Sequence, residues 1–358
     1  MTTGVRFAID VRRLALFTAG LVVTGTVVAL ASAHSSTYAW HLTPTGSDAR
    51  LRGLSAVSSN VAWASGSAGT VLRTTDRGTT WQQVGPPGTT ALQFRDIEAF
   101  DANRAVILSI GPGDFSRIYV TSDGGSSWTL AFTNSDPNAF YDCMTFFDQE
   151  RGLALSDPPG GTKFRIIATN DGGLSWHVVD PAGMPPALPG EAGFAASGQC
   201  ITSKGHSAWF GSGGSAEARV FRSNDRGQTW AVSATPIQSS PSAGIFALAF
   251  HDENHGLAVG GDFLAPTASP DNFARTGDGG RSWTLVPGAP AEYRSGATWV
   301  DGHTAVAVGP SGSDVSTDHG TNWIRFDSGS FDTVDCARPS ACWASGEHGR
   351  VAYLVTSR

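Results

Sequence analysis

Chemistry in this chain would have to come from its acids, arginines and histidines, and several of these recur at regular steps. Asp76, Asp123, Asp171, Asp225, Asp278 and Asp318 follow one another at 47, 48, 54, 53 and 40 residues. A row of carboxylates could do acid–base work or hold a cation. Each, however, lies inside one phrase, Ser/Thr-x-Asp-x-Gly-x-Ser/Thr-Trp, at residues 74–81, 121–128, 169–176, 223–230, 276–283 and 316–323. Only the last copy departs from it, with Asn322 in the Ser/Thr place. In such a phrase the Asp accepts hydrogen bonds from turn amides and the Gly supplies positive φ. The hydroxyls tie down the remaining turn groups, and the Trp presents a large apolar face. The six aspartates are therefore expected to fasten turns.

Other polar residues offer more specific chemistry. Asp96 and Glu98 alternate along one strand and share a face. Asp142, Glu191, Asp332 and Asp335 fall near the starts of predicted strands, with Tyr141, Tyr293 and Arg294 in similar places. Glycoside hydrolysis needs two carboxylates at a set separation, or a Tyr paired with a Glu. Adjacent Glu292 and Tyr293 do not make such a pair by sequence alone. His251, Asp252, Glu253 and His255 are metal-ligand types, but they fall between two strands and read as a solvated turn. No metal site is expected, because no CxxC spacing exists, and no cofactor, because no phosphate loop, dinucleotide fingerprint or nucleophile elbow occurs in a suitable context.

A repeat of 40 to 54 residues signals stacked units. Each phrase stands between two short β-like runs, a hairpin signal. Upstream of each lies a small-residue apolar strand, such as Thr304-Ala305-Val306-Ala307-Val308-Gly309. A seventh such strand, Ala341-Cys342-Trp343-Ala344-Ser345-Gly346, follows the last phrase, and the chain stops one strand later. The missing Trp-bearing strand matches Trp40-His41-Leu42-Thr43. The expected fold is all-β: a seven-bladed propeller of four-stranded antiparallel blades, closed by the N-terminal strand. The blades span approximately 51–85, 86–133, 134–180, 181–234, 235–287, 288–327, and 328–356 with 37–43. An unclosed ring would expose a strand edge and a blade face.

In this layout the Asp phrases lie on the lower face, and the upper face carries the functional loops, of which 180–193 and 262–271 are longest. Six residues before each phrase's Asp stand Thr70, Arg117, Arg165, Arg219, Asn272 and Gly312, with Arg350 at the matching place in blade seven. Arg117, Arg165, Arg219 and Arg350 are the candidate partner-binding residues, the first three forming an arc over consecutive blades. A guanidinium suits bidentate capture of a carboxylate. The competing reading pairs each with a local acid, Asp114, Asp157, Glu217 or Glu347.

Charged residues make up 15% of the 358, and the formal charge is −7. Residues 1–33 read as an export signal: Arg6, Arg12 and Arg13, an apolar run over 14–30, then Ala31-Ser32-Ala33. The run could also serve as an uncleaved anchor. Cleavage would remove three Arg and one Asp and take the charge to −9. That balance argues against a nucleic-acid partner and against charge-driven binding to anionic membrane. Residues 34–358 form a single domain, expected to be a monomer. Four cysteines suit an oxidising compartment. Cys336 and Cys342 frame a short turn and are expected to pair, and Cys143 with Cys200 on adjacent blades is the second expected disulfide.

The phrase resembles the Asp-box, or BNR repeat, of sialidase-type propellers. Phe164-Arg165-Ile166-Ile167 is similar to the sialidase Phe-Arg-Ile-Pro signature but lacks its Pro and stands before the third box. The whole layout resembles the photosystem II stability and assembly factor family, with Thr169-Asn170-Asp171-Gly172-Gly173-Leu174-Ser175-Trp176 as the nearest copy. That resemblance implies a non-catalytic scaffold that binds a protein partner through an arginine patch, exported across the cytoplasmic membrane. An exported sialidase-like glycoside hydrolase or carbohydrate-binding propeller is the alternative.

Overall fold

The computed structural model describes residues 37–337 and 341–357, so the segment 1–33, expected from sequence to be an export signal, lies outside the described residues. The described chain folds into seven sheets of four antiparallel strands arranged in a ring. No α-helix occurs among the described residues, only three short 3-10 turns. Six blades are built from consecutive strands. Blade one runs Leu51–Ala56, Ala62–Gly66, Val71–Thr74 and Gln82–Gln83 from the pore outwards. The seventh takes Thr333–Ala337, Ala341–Ser345 and Val351–Ser357 from one end of the chain and Thr37–Thr43 from the other.

Burial explains the sequence pattern. The second strand of each blade is covered on both faces by its neighbours, so it reads as an unbroken small-apolar run. Ala305, Val306, Ala307 and Val308 have no exposed surface. Several outermost strands are short and face solvent, as Gln82–Gln83 and His177–Val178 do. Between blades three and four, Leu155, Phe164, Phe210, Phe221 and Trp230 form one apolar layer.

The six Asp turns share one hydrogen-bond pattern. In the first, Asp76 Oδ1 accepts from the Thr80 amide at 2.9 Å and Oδ2 accepts from the Thr80 hydroxyl at 2.6 Å. Thr74 Oγ1 donates to Asp76 Oδ1 and accepts from the Gly78 amide, both at 2.9 Å. Gly78 sits at φ +77, where a Cβ would meet Thr43 at 2.6 Å. In the sixth, Asn322 Nδ2 donates to Asp318 Oδ2 at 2.6 Å in place of the hydroxyl.

Closure rests on the register Trp40↔Leu354, flanked by Thr43↔Val351 and Thr37↔Ser357. The Trp40 ring lies 5.3 Å from Phe331 and 5.7 Å from Phe326, and its Nε1 donates to Ser313 Oγ at 2.9 Å. Blade seven is thereby locked to blade six. Trp40 is half-buried, so Trp40→Ala should lower stability by about 2 kcal/mol, less than the loss of a fully buried aromatic. Deleting residues 34–46 should lower the melting temperature further and expose a pairing edge. A truncated chain that melts with the intact one in calorimetry would contradict closure by this strand.

Candidate binding site at the upper mouth of the pore

The innermost strands begin at the upper mouth, and four of them are bulged there. The register shifts between Leu51 and Gly53, Phe94 and Asp96, Tyr141 and Cys143, and Ile245 and Ala247. A bulge leaves one residue unpaired and re-aims its side chain. Arg52, Arg95, Asp142 and Phe246 are the residues so placed.

Two of them build a cationic pocket of about 130 Å³, lined by Arg50, Arg52, Gly66, Ser67, Gln93 and Arg95. Arg50 makes a bidentate bond to Asp332, Nε to Oδ2 at 2.8 Å and an Nη to Oδ1 at 2.7 Å, and reaches Glu347 at 3.0 Å. Arg52 Nε stands 3.8 Å from the same Asp332 and has no hydrogen-bond partner. Arg95 donates to the Ala195 carbonyl at 2.7 Å and to Gln93 at 3.3 Å, with no carboxylate in ion-pair range among the described residues. Three guanidiniums thus face two carboxylates. Burial, then the charges of Arg52 and Arg50, pulls the Arg95 guanidinium down to about 10. Burial likewise lowers Arg52 despite the attraction of Asp332. The pocket holds more positive charge than its own acids balance.

Segment 194–199 crosses the pore just below and joins the pocket to an apolar wall. Ser197 O accepts from Thr333 Oγ1 at 3.0 Å. Gln199 donates to the Ala297 and Val334 carbonyls at 3.1 and 2.8 Å and accepts from the Ala297 amide at 3.0 Å. Gly198 lies against blade two, where a Cβ would meet Asp96 Oδ1 at 2.5 Å. At the start of the segment Phe194 stacks on Phe246 at 4.1 Å, and Tyr293 meets Phe246 edge-on at 4.7 Å. Phe263 packs against both phenyl rings and is 46% exposed, beside Leu264 at 74%. A guanidinium pocket and an exposed aromatic ledge therefore share one mouth.

The comparisons with known proteins bear on this geometry. No family model matches the chain. A YCF48 structure with a D1 peptide bound superposes with a TM-score of 0.65 at 15% identity, covering 89% of this chain and 97% of that one. YCF48 from Cyanidioschyzon merolae gives 0.62 at 15%, covering 88% and 98%. The chain is similar to YCF48, a photosystem II assembly factor, in fold. Among curated proteins, a xyloglucanase of Acetivibrio thermocellus is 26% identical over 280 residues. That match spans 65% of this chain and about a third (32%) of the relative's own length.

The arginines singled out by sequence sit where counting from the Asp turns puts them, at the upper ends of third strands, and each is engaged. Arg117 pairs with Asp114 at 3.2 Å, as one reading of the sequence expects. Arg165 pairs with Asp136 at 2.9 Å rather than Asp157, and Arg219 forms a fork with Glu191 rather than Glu217. Both acids come from the loops between blades. The Arg350 guanidinium lies 4.6 Å over the Phe331 ring, while Glu347 turns to Arg50. Arg294 is fully buried against Asp314 and Glu292. Cys143 is bonded to Cys200 across blades three and four, and Cys336 to Cys342 within blade seven. Residues 338–340 of that turn are outside the described residues. The pocket residues Arg50, Arg52 and Arg95 escape a reading anchored on the Asp turns. Their signal is an Arg at the start of two successive innermost strands.

Beneath the mouth the pore holds acids shielded from solvent, Asp96 buried and Glu98 and Asp335 half-buried. Burial raises Asp96 to about 8 and, with the charges of Asp335 and Asp96, raises Glu98 to about 8. Burial also raises Asp335. Unfolded, these carboxyls ionise near 3.8 to 4.5. Between those limits and about 8 the native state holds more protons, so their contribution to stability falls as pH rises. Glu98→Gln should therefore flatten the loss of stability between pH 5.5 and 8.5 by on the order of 2 kcal/mol. Denaturant unfolding at the two pH values checks this. A variant with the wild-type difference between them would contradict it.

Proposed function

We propose that the chain is an exported, non-catalytic propeller that captures an extended segment of a protein partner at its upper mouth. Assembly or stabilisation of a membrane or envelope complex is the setting this reading favours. The carrying observation is the Arg50–Arg52–Arg95 pocket, with more guanidinium than carboxylate, joined to the Phe194–Phe246–Phe263 ledge. Guanidiniums in a recess suit a carboxylate, and rigid aromatic faces suit the apolar residues beside it. The YCF48 structure with a bound D1 peptide supports peptide capture by a propeller of this fold. Membrane association would come through the partner or through an uncleaved anchor at 1–33.

Cross-linking in the native host followed by pull-down identifies the partner and supplies the assay. Arg52→Glu with Arg95→Glu should abolish capture, since each change removes a cation and adds an anion. Arg117→Glu with Arg165→Glu, on the outer arc, should weaken capture far less, because both side chains already have acids. Capture by the Arg52/Arg95 variant at the wild-type level would overturn the assignment.

A second reading, an exported glycoside hydrolase or carbohydrate-binding propeller, rests on the xyloglucanase match and on one carboxyl pair. Burial, then the neighbouring Asp157 charge, holds Asp142 well above the usual carboxylate range, and burial raises Asp157 to about 6. Both lie under residue 193, whose amide donates to Asp157 at 2.7 Å. The other mouth acids, Glu292, Asp332 and Glu347, are held in arginine pairs. Incubation with xyloglucan should release no reducing ends; release that Asp142→Asn abolishes would favour the second reading.

A further inference from the structure

The lower face, opposite the mouth, carries a second group of side chains with defined geometry. Residues 251–255 form the turn between strands Ala243–Phe250 and Gly256–Asp262 of blade five. The turn is closed by the His251 amide donating to the His255 carbonyl at 3.1 Å. Asp252 Oδ1 accepts from the amides of Asn254 and His255, both at 2.7 Å, which fixes the carboxylate. Against it stand His255 Nδ1, 2.9 Å from Oδ2, and His251 Nε2, 3.3 Å from the same oxygen. The two imidazoles are nearly parallel, 14° apart with centroids at 5.7 Å, and Trp299 packs edge-on to His251 at 5.4 Å. One ligand atom from each of His251, Asp252 and His255 lies within 4.8 Å of the other two.

We propose that His251, Asp252 and His255 form a binding site for a divalent transition cation of the zinc class. Two neutral imidazoles and a carboxylate are the donor set that suits such ions, and hard cations such as Mg²⁺ prefer all-oxygen shells. In tetrahedral geometry, ligand atoms about 2.0–2.2 Å from a Zn²⁺ ion are about 3.3–3.6 Å from one another. The Asp252–His251 separation of 3.3 Å meets that spacing, and the Asp252–His255 separation of 2.9 Å falls short of it. The exposed His255 ring can turn to open that gap and to bring its nitrogen toward His251. Three protein ligands leave a position open to water or to a partner's side chain. The site is independent of capture at the mouth, since it occupies the other face.

Zn²⁺ titrated by calorimetry into the purified, chelator-stripped full chain is expected to bind at one site with micromolar Kd. It should also raise the melting temperature, because the turn exists only in the folded state. His251→Gln and His255→Gln should each weaken binding at least about tenfold, since loss of even an outer partner of a metal ligand costs about 10–100-fold. His303→Gln is the control. Its ring meets His319 at 4.5 Å on the same lower face, and the variant should bind as wild type. The Gln variants keep Asp252 and its amide bonds, so they should fold, and their zinc-free melting temperatures are the baseline against which the zinc-induced rise is read. The inference is overturned if Zn²⁺ binds more weakly than about 1 mM, or if either the His251 or the His255 variant binds as tightly as wild type.

Discussion

A ring of blades is stable only if its last member is joined to its first, and here one antiparallel pairing does this. Strand Thr37–Thr43 lies beside Val351–Ser357, residues more than 300 positions away. Each blade buries both faces against its neighbours, so an open ring would leave two such faces in water and two unpaired edges. Trp40 reinforces the joint by packing on Phe326 and Phe331, outside its own sheet partner strand. The convergence of blade ends on one mouth follows from this closure. Without it, Arg50 and Asp332, whose fork spans blades one and seven, would not meet.

Within the closed ring, the mouth depends on bulges and on one crossing segment. The bulges at Arg52, Arg95 and Phe246 turn side chains toward the pore that regular pleating would direct elsewhere. Segment 194–199 ties blades two, five, six and seven together through backbone and Gln199 contacts, so the pocket floor is held rigidly. Rigid placement matters for recognition, because a preformed site spends less of its interaction energy on ordering. The cost is electrostatic. Guanidiniums above and carboxyls below are taken out of water, and their ionisation is displaced accordingly.

The fold was legible because it is written six times. Asp, Gly and Trp at fixed offsets announce a turn and the strand after it, and the unmatched Trp40 strand supplies the missing element of blade seven. The site was legible only in part. Counting back from each Asp locates Arg117, Arg165 and Arg219 correctly along their strands. It does not reveal Asp136 and Glu191, which arrive from loops between blades whose paths the repeat does not encode. The Arg50, Arg52 and Arg95 pocket was missed for a related reason. Bulges break the alternation by which strand faces are read, and the crossing of the pore by 194–199 depends on contacts with four other blades. The turn at 251–255 is solvent-facing as the sequence expects, and what the sequence does not show is the separation of its ligand-type side chains.

The central claim, that the partner is engaged at the upper mouth, is tested most directly by photo-cross-linking from defined positions in the native host. A photoreactive residue at Gln93, which is exposed in the arginine pocket, should form a covalent adduct with the captured partner. One at Leu174, exposed in a lower-face Asp turn, should not. An adduct from Leu174 with none from Gln93 would contradict the account.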